Sequence, residues 1–177
     1  LNDLANYNNG KLDRHAAILG DMWMNWVKDR YGSDRNLTVA WGAGKRPDDS
    51  VDNPKMKMYG VWEMEADGPR FSKSTEKKRM GDFIRFLAEL QRDFYERRQQ
   101  RLRELGYEAV TVSTAWKAGG PAASAANLWT DDAMDAIDRH NYFGGGAGGH
   151  NITAGSVSND THMNKAGRGI LSSGFWQ

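Results

Sequence analysis

The chain has 177 residues, 39% of them hydrophobic and 27% charged, which is enough for one domain with a real core. Its 24 Lys and Arg against 23 Asp and Glu leave a net charge of +1, which argues against a polybasic nucleic-acid binder or a membrane-surface protein. Without cysteine there is neither a disulfide framework nor a thiolate metal site.

No apolar run approaches the roughly 18 residues of a spanning helix. The opening Leu1-Asn2-Asp3-Leu4 has neither the basic nor the apolar region of a signal peptide, and the missing initiator Met suggests a trimmed or fragmentary chain. From Leu12 the apolar positions Ala16, Leu19, Met22, Trp23, Trp26 and Val27 recur at helical spacing, which predicts a helix to about Arg30. Ser33 is placed to cap a second, short helix through Trp41. Positions 42–54 read as a polar loop, and 56–66 as an ordered excursion of mixed period.

The longest helical signal runs over 74–105, with Phe83, Ile84, Leu87, Leu90, Phe94, Leu102 and Leu105 in one stripe and Gly106 as C-cap. Residues 109–114 are rich in β-branched side chains and predict a strand. The small residues of 119–126 read as a loop, and 130–134 as one helical turn capped by Thr130. A second strand is expected over 136–142, followed by a long Gly-rich loop region over 143–177. This order is that of an α/β protein, with two parallel strands wrapped by helices. Two strands cannot complete such a sheet, so the chain reads as part of something larger.

Candidate chemistry gathers at the strand ends. His140 and Tyr142, at i and i+2, point to one side, and the preceding strand leads to Trp116. Together they describe a pocket with an aromatic platform and hydrogen-bonding groups; the other reading makes Trp116 a core residue and His140 a packing histidine. Glu63 and Glu65 read as a surface pair, and Asp131-Asp132 as first-turn helix charge. His15, His150 and His162 match no metal-ligand spacing. Gly144 to Gly149 lacks the ending of a phosphate loop. The basic flank from Lys73 to Arg103 is interleaved with acids, the pattern of a solvated, ion-paired helix, although a nucleic-acid interface is a third reading.

The run Phe86-Leu87-Ala88-Glu89-Leu90-Gln91-Arg92-Asp93-Phe94-Tyr95, then Leu102 to Gly106, then Thr114-Ala115-Trp116, then Ile137-Asp138-Arg139-His140-Asn141-Tyr142, resembles the middle of a cellulase-like glycoside hydrolase of the (β/α)8 barrel clan. Trp23 to Gly42 is similar to the helix after the fourth barrel strand of such enzymes, and the likeness extends from about Leu12 to Tyr142. It implies an α/β fold in which 1–177 form a single partial (β/α)8 TIM barrel, from the helix after strand 4 to the loop after strand 6. It also implies that His140 and Tyr142 hold the sugar under attack and that Trp116 is a sugar-facing ring. The family's acid/base Glu follows an Asn, and no Asn-Glu pair occurs here. Both catalytic carboxylates are therefore expected outside the chain. The expected activity is hydrolysis of O-glycosidic bonds in a β-linked poly- or oligosaccharide by the full-length enzyme, with no cofactor and no metal. The expected partner is the carbohydrate substrate, with no nucleic acid and no membrane. The alternative is a non-catalytic α/β carbohydrate-binding or interaction module.

Overall fold

A computed structural model describes residues 13–60, 63–64, 75–114 and 121–138. Four helices account for most of them: α1 (Asp13–Tyr31), α2 (Asp34–Trp41), α3 (Lys77–Glu104) and α4 (Pro121–Asp131). A 3-10 turn, Gly42–Gly44, continues from α2. The chain divides into two compact units, Leu1–Gln91 and Arg92–Gln177, with the boundary inside α3. No described helix is long and apolar enough to cross a membrane.

In the first unit the expected helices form for the expected reasons. Leu19, Trp23 and Val27 lie four residues apart on α1, and all three are buried. Gly32 closes α1 at φ 69°, a left-handed conformation that a side chain would strain. Ser33 then caps α2, its Oγ accepting from the Asn36 backbone N–H at 3.3 Å. The core is aromatic. Trp23 stacks on Trp26 and Trp41, with centroids 5.4 and 6.1 Å away, and meets Phe83 edge-on at 5.2 Å. Gly44 passes so close to the 75–76 backbone that a Cβ there would stand 2.5 Å from the Thr75 carbonyl oxygen.

Inside this core lies an ion pair. Arg79, fully enclosed, donates to both carboxylate oxygens of Asp49 at 2.8 and 2.6 Å and to the Lys57 carbonyl at 2.7 Å. Its guanidinium sits over the rings of Trp41 and Tyr59. Beside it, Glu76 accepts two bonds from Arg46 and one from the Tyr59 hydroxyl. Burial, then the bond to Glu76, pushes the Tyr59 phenol well above its ordinary range.

Helix α3 ends in a Schellman motif: Gly106, at φ 82°, donates to Arg103 O, and Tyr107 donates to Leu102 O. Its expected apolar stripe is only half covered. Phe83, Ile84 and Leu87 are buried, but Phe94, Leu102 and Leu105 are exposed. Four i,i+3 or i,i+4 ion pairs line the flank: Arg85–Glu89, Arg92–Glu96, Arg97–Asp93 and Arg101–Glu104.

The expected α/β class, and with it the partial (β/α)8 barrel, is corrected by the structure. The described residues are predominantly helical and contain no sheet; the one extended pairing is an isolated parallel bridge, Val112 to Ala136. A parallel sheet is stable when apolar layers cover both faces, and no apolar side chain described in the second unit is buried. Residues 121–126 are also corrected, from loop to helix, and the turn expected over 130–134 is instead the end of that helix, Pro121–Asp131. Pro121 suits a first helical position, and Ala122, Ala123, Ala125 and Ala126 are the strongest helix formers, so small residues here signal helix rather than turn. Thr130 does not cap a helix start. It lies in the last turn of α4, donating to Asn127 O at 2.7 Å.

Candidate functional site

Trp116, His140 and Tyr142, the substrate-binding residues expected from the sequence, lie outside the described residues, as do Glu65, His150, His162 and the Gly-rich stretch. The structure does describe the two segments that lead to them. They run side by side in parallel at Val112 and Ala136, where the Ala136 N–H donates to Thr111 O at 3.3 Å, with α4 between them in the chain. Trp116 and His140 each stand four positions beyond their member of the bridged pair.

A polar network holds this junction. Thr111 and Ser113 alternate with Val110 and Val112, so the hydroxyls take one side and the valines the other. Thr111 is buried, whereas Val110 and Val112 are exposed. Asp135 Oδ2 accepts from both the backbone N–H and the hydroxyl of Thr111, at 2.7 and 2.6 Å. Arg103 adds an ion pair at 2.5 Å, and Gln99 bonds both Thr111 Oγ1 and Asp135 Oδ1. The two Thr111 bonds, then Arg103, pull the Asp135 carboxyl down to about 2. Arg103 also donates to the Tyr107 and Ala109 carbonyls, tying the end of α3 to the start of the extended segment.

Asp131 is the second carboxylate of the junction, and it is fully buried. It accepts from Ser113 Oγ at 2.6 Å and from Asn127 Nδ2 at 2.7 Å. The expectation that Asp131-Asp132 supplies first-turn helix charge is corrected here. Asp131 ends α4, where the helix dipole disfavours an anion, and its hydrogen bonds to Ser113 and Asn127 offset that cost. Sequence reasoning gave Asp131 a different role and did not single out Asp135. The signal available was the alternation of hydroxyl and valine over 110–113, which marks a segment with one polar face.

The remaining candidates are quieter. Glu63 accepts from the Gly60 N–H and from Lys57 Nζ. Burial pushes its pKa up, but these two partners outweigh burial and the net shift is downward, the opposite of what a general acid needs. Among the described residues no cluster of His, Asp or Glu is arranged to hold a metal ion. Trp129, at the surface, lies under the Arg92 guanidinium, 4.7 Å from centroid to Cζ, while Arg92 Nη1 donates to its carbonyl. No family model matches the chain, and no curated protein and no solved structure matches it either.

Proposed function

We propose that the chain binds a β-linked oligo- or polysaccharide as the substrate-contacting part of a glycoside hydrolase, through Trp116, His140 and Tyr142. The observation that supports this reading is the parallel bridge between Val112 and Ala136. In the sequence Trp116 and His140 each follow their member of that bridged pair by four positions. An aromatic face suits the apolar C–H face of a pyranose, and a hydrogen-bonding neighbour suits its hydroxyl rim.

The reading is one of binding by this chain and not of bond cleavage by it. Asp131 and Asp135, the carboxylates of the junction, accept from Ser113 and Thr111. Glycoside hydrolysis needs one carboxyl poised as an acid and a second as a base or nucleophile.

Titration of the purified chain with β-linked gluco-, xylo- and manno-oligosaccharides, followed by tryptophan fluorescence and calorimetry, tests the proposal. Saturable binding is expected, weakened about tenfold or more (about 1.4 kcal/mol) by Trp116→Ala. Binding unaffected by Trp116→Ala and His140→Ala, or no binding to any β-linked sugar, overturns it.

A further inference from the structure

We infer that Asp131 and Asp135 are positioning residues that select one register between the two extended segments by reading the hydroxyl pair Thr111 and Ser113; the functional consequence rests on the sugar-binding reading above. At alternate positions the sequence reads Ala109, Thr111, Ser113, Ala115: two hydroxyls bounded on each side by alanine. Asp135 takes the first hydroxyl and Asp131 the second.

This pattern has one best alignment. A slip of two residues keeps the same face inward but sets either Ala109 opposite Asp135 or Ala115 opposite Asp131, so one carboxylate loses its hydroxyl. A slip of one residue turns the other face in and presents Val110 with Val112, or Val112 with Thr114, in place of the two hydroxyls. Every shift costs at least one charge-assisted hydrogen bond. For Asp131, which is fully buried, water cannot replace the lost donor. The backbone bond alone is weakly selective, because a single rung between Ala136 and Thr111 can form equally well with a neighbouring carbonyl. Register therefore resides in the side chains. It bears on the proposed function because Trp116 and His140 each follow the bridged pair Val112 and Ala136 by four positions in the sequence.

The decisive variant is A109T/S113A, which moves the hydroxyl pair two positions back without changing its number. In the full chain, Val110 should then replace Val112 opposite Ala136, read from amide and α-proton cross-peaks between the segments. Helix content by circular dichroism should stay as in the wild type, and affinity for the β-linked oligosaccharide should fall about tenfold. Val112 still opposite Ala136 in this variant overturns the inference. A register shift that leaves sugar affinity unchanged overturns its functional half. If the wild-type chain binds no sugar, the proposed function fails, and the cross-peaks alone still decide whether the carboxylates set the register.

Should A109T/S113A not fold, single and exchanged variants serve instead. T111S/S113T keeps both hydroxyls in place and should leave amide exchange at Ala136 unchanged, whereas S113A should accelerate it about tenfold. Equal exchange in all three proteins overturns the inference.

Discussion

In the first unit Trp23, Val27, Leu37, Phe83 and Leu87 are completely enclosed, whereas the enclosed side chains described in the second are Thr111, Asn127, Thr130 and Asp131. The first unit is thus held mainly by area removed from water and by close aromatic packing, which depend little on pH or salt. The second is held by directed hydrogen bonds to two carboxylates, which are specific in geometry and sensitive to protonation. Its exposed valines and Trp129 show apolar surface left facing water. The contrast teaches where specificity is written. Packing selects shape in the first unit, and donor–acceptor matching selects register in the second.

The largest effect that tests this contrast comes from the buried ion pair inside the first unit. Asp49→Ala leaves Arg79 enclosed without its carboxylate and should destabilise by about 3–5 kcal/mol in chemical denaturation. Replacing both partners with apolar side chains, Asp49→Leu with Arg79→Met, should recover most of the loss, because the surrounding Trp41 and Tyr59 rings accept apolar neighbours. If the double replacement is as damaging as the single one, the pair specifies the first unit as strongly as packing does, and the comparison fails there.

A smaller effect probes packing alone. Gly44→Ala has no polar consequence, but its new methyl group would meet the Thr75 carbonyl oxygen at 2.5 Å and the Glu76 Cα at 2.9 Å. Backbone must move, and a loss of about 1–3 kcal/mol is expected in thermal unfolding. An unchanged melting temperature would mean that the 42–44 turn is not packed against 75–76.

The smallest effect belongs to the second unit and depends on pH. The Asp135 carboxyl is lowered in the folded chain from its ordinary 3.8 to about 2. A depressed carboxyl adds stability that is complete above about pH 4 and is lost as pH falls toward the folded value near 2. Amide exchange at Thr111 and Ala136 should therefore quicken relative to the random-coil rate between about pH 4 and 2. Asp135→Asn should remove that pH dependence while leaving exchange in α1 unaltered. A first-unit amide that follows the same acid profile would show that the two units do not differ in this respect.

Much of the helical framework is legible in the sequence because its signals are local. The apolar spacing of Leu19, Trp23 and Val27, the Ser33 cap and the Gly106 terminus each act within one or two turns, so no distant partner is needed to read them. Helix α4 was legible too, from Pro121 and its alanines, once small residues are weighed by propensity rather than by their frequency in loops. The strand propensity of 109–114 is equally visible, yet it yields one bridge, since pairing is decided by a neighbour and by what covers each face. In the site region the hydroxyl–valine alternation could be read in advance. The carboxylates that answer it, 18 to 24 positions later, could not.

The sequence by itself determined the bounds of α1 and α2 and the end of α3, which face of α1 and of early α3 turns inward, and that the α3 flank pairs its charges along the helix. Those outcomes follow from interactions spanning three or four residues, which the backbone geometry imposes on any chain with these side chains. Only the tertiary structure decided that Arg79 would be buried against Asp49, 30 positions away, and that the stripe of α3 would be covered at Phe83 and Leu87 but open at Phe94 and Leu105. It also decided that Asp131 and Asp135 would face Ser113 and Thr111 rather than water. The physical reason is the same in each case: the free energy of burying an apolar ring or a charge depends on which distant groups surround it, and no local pattern contains them.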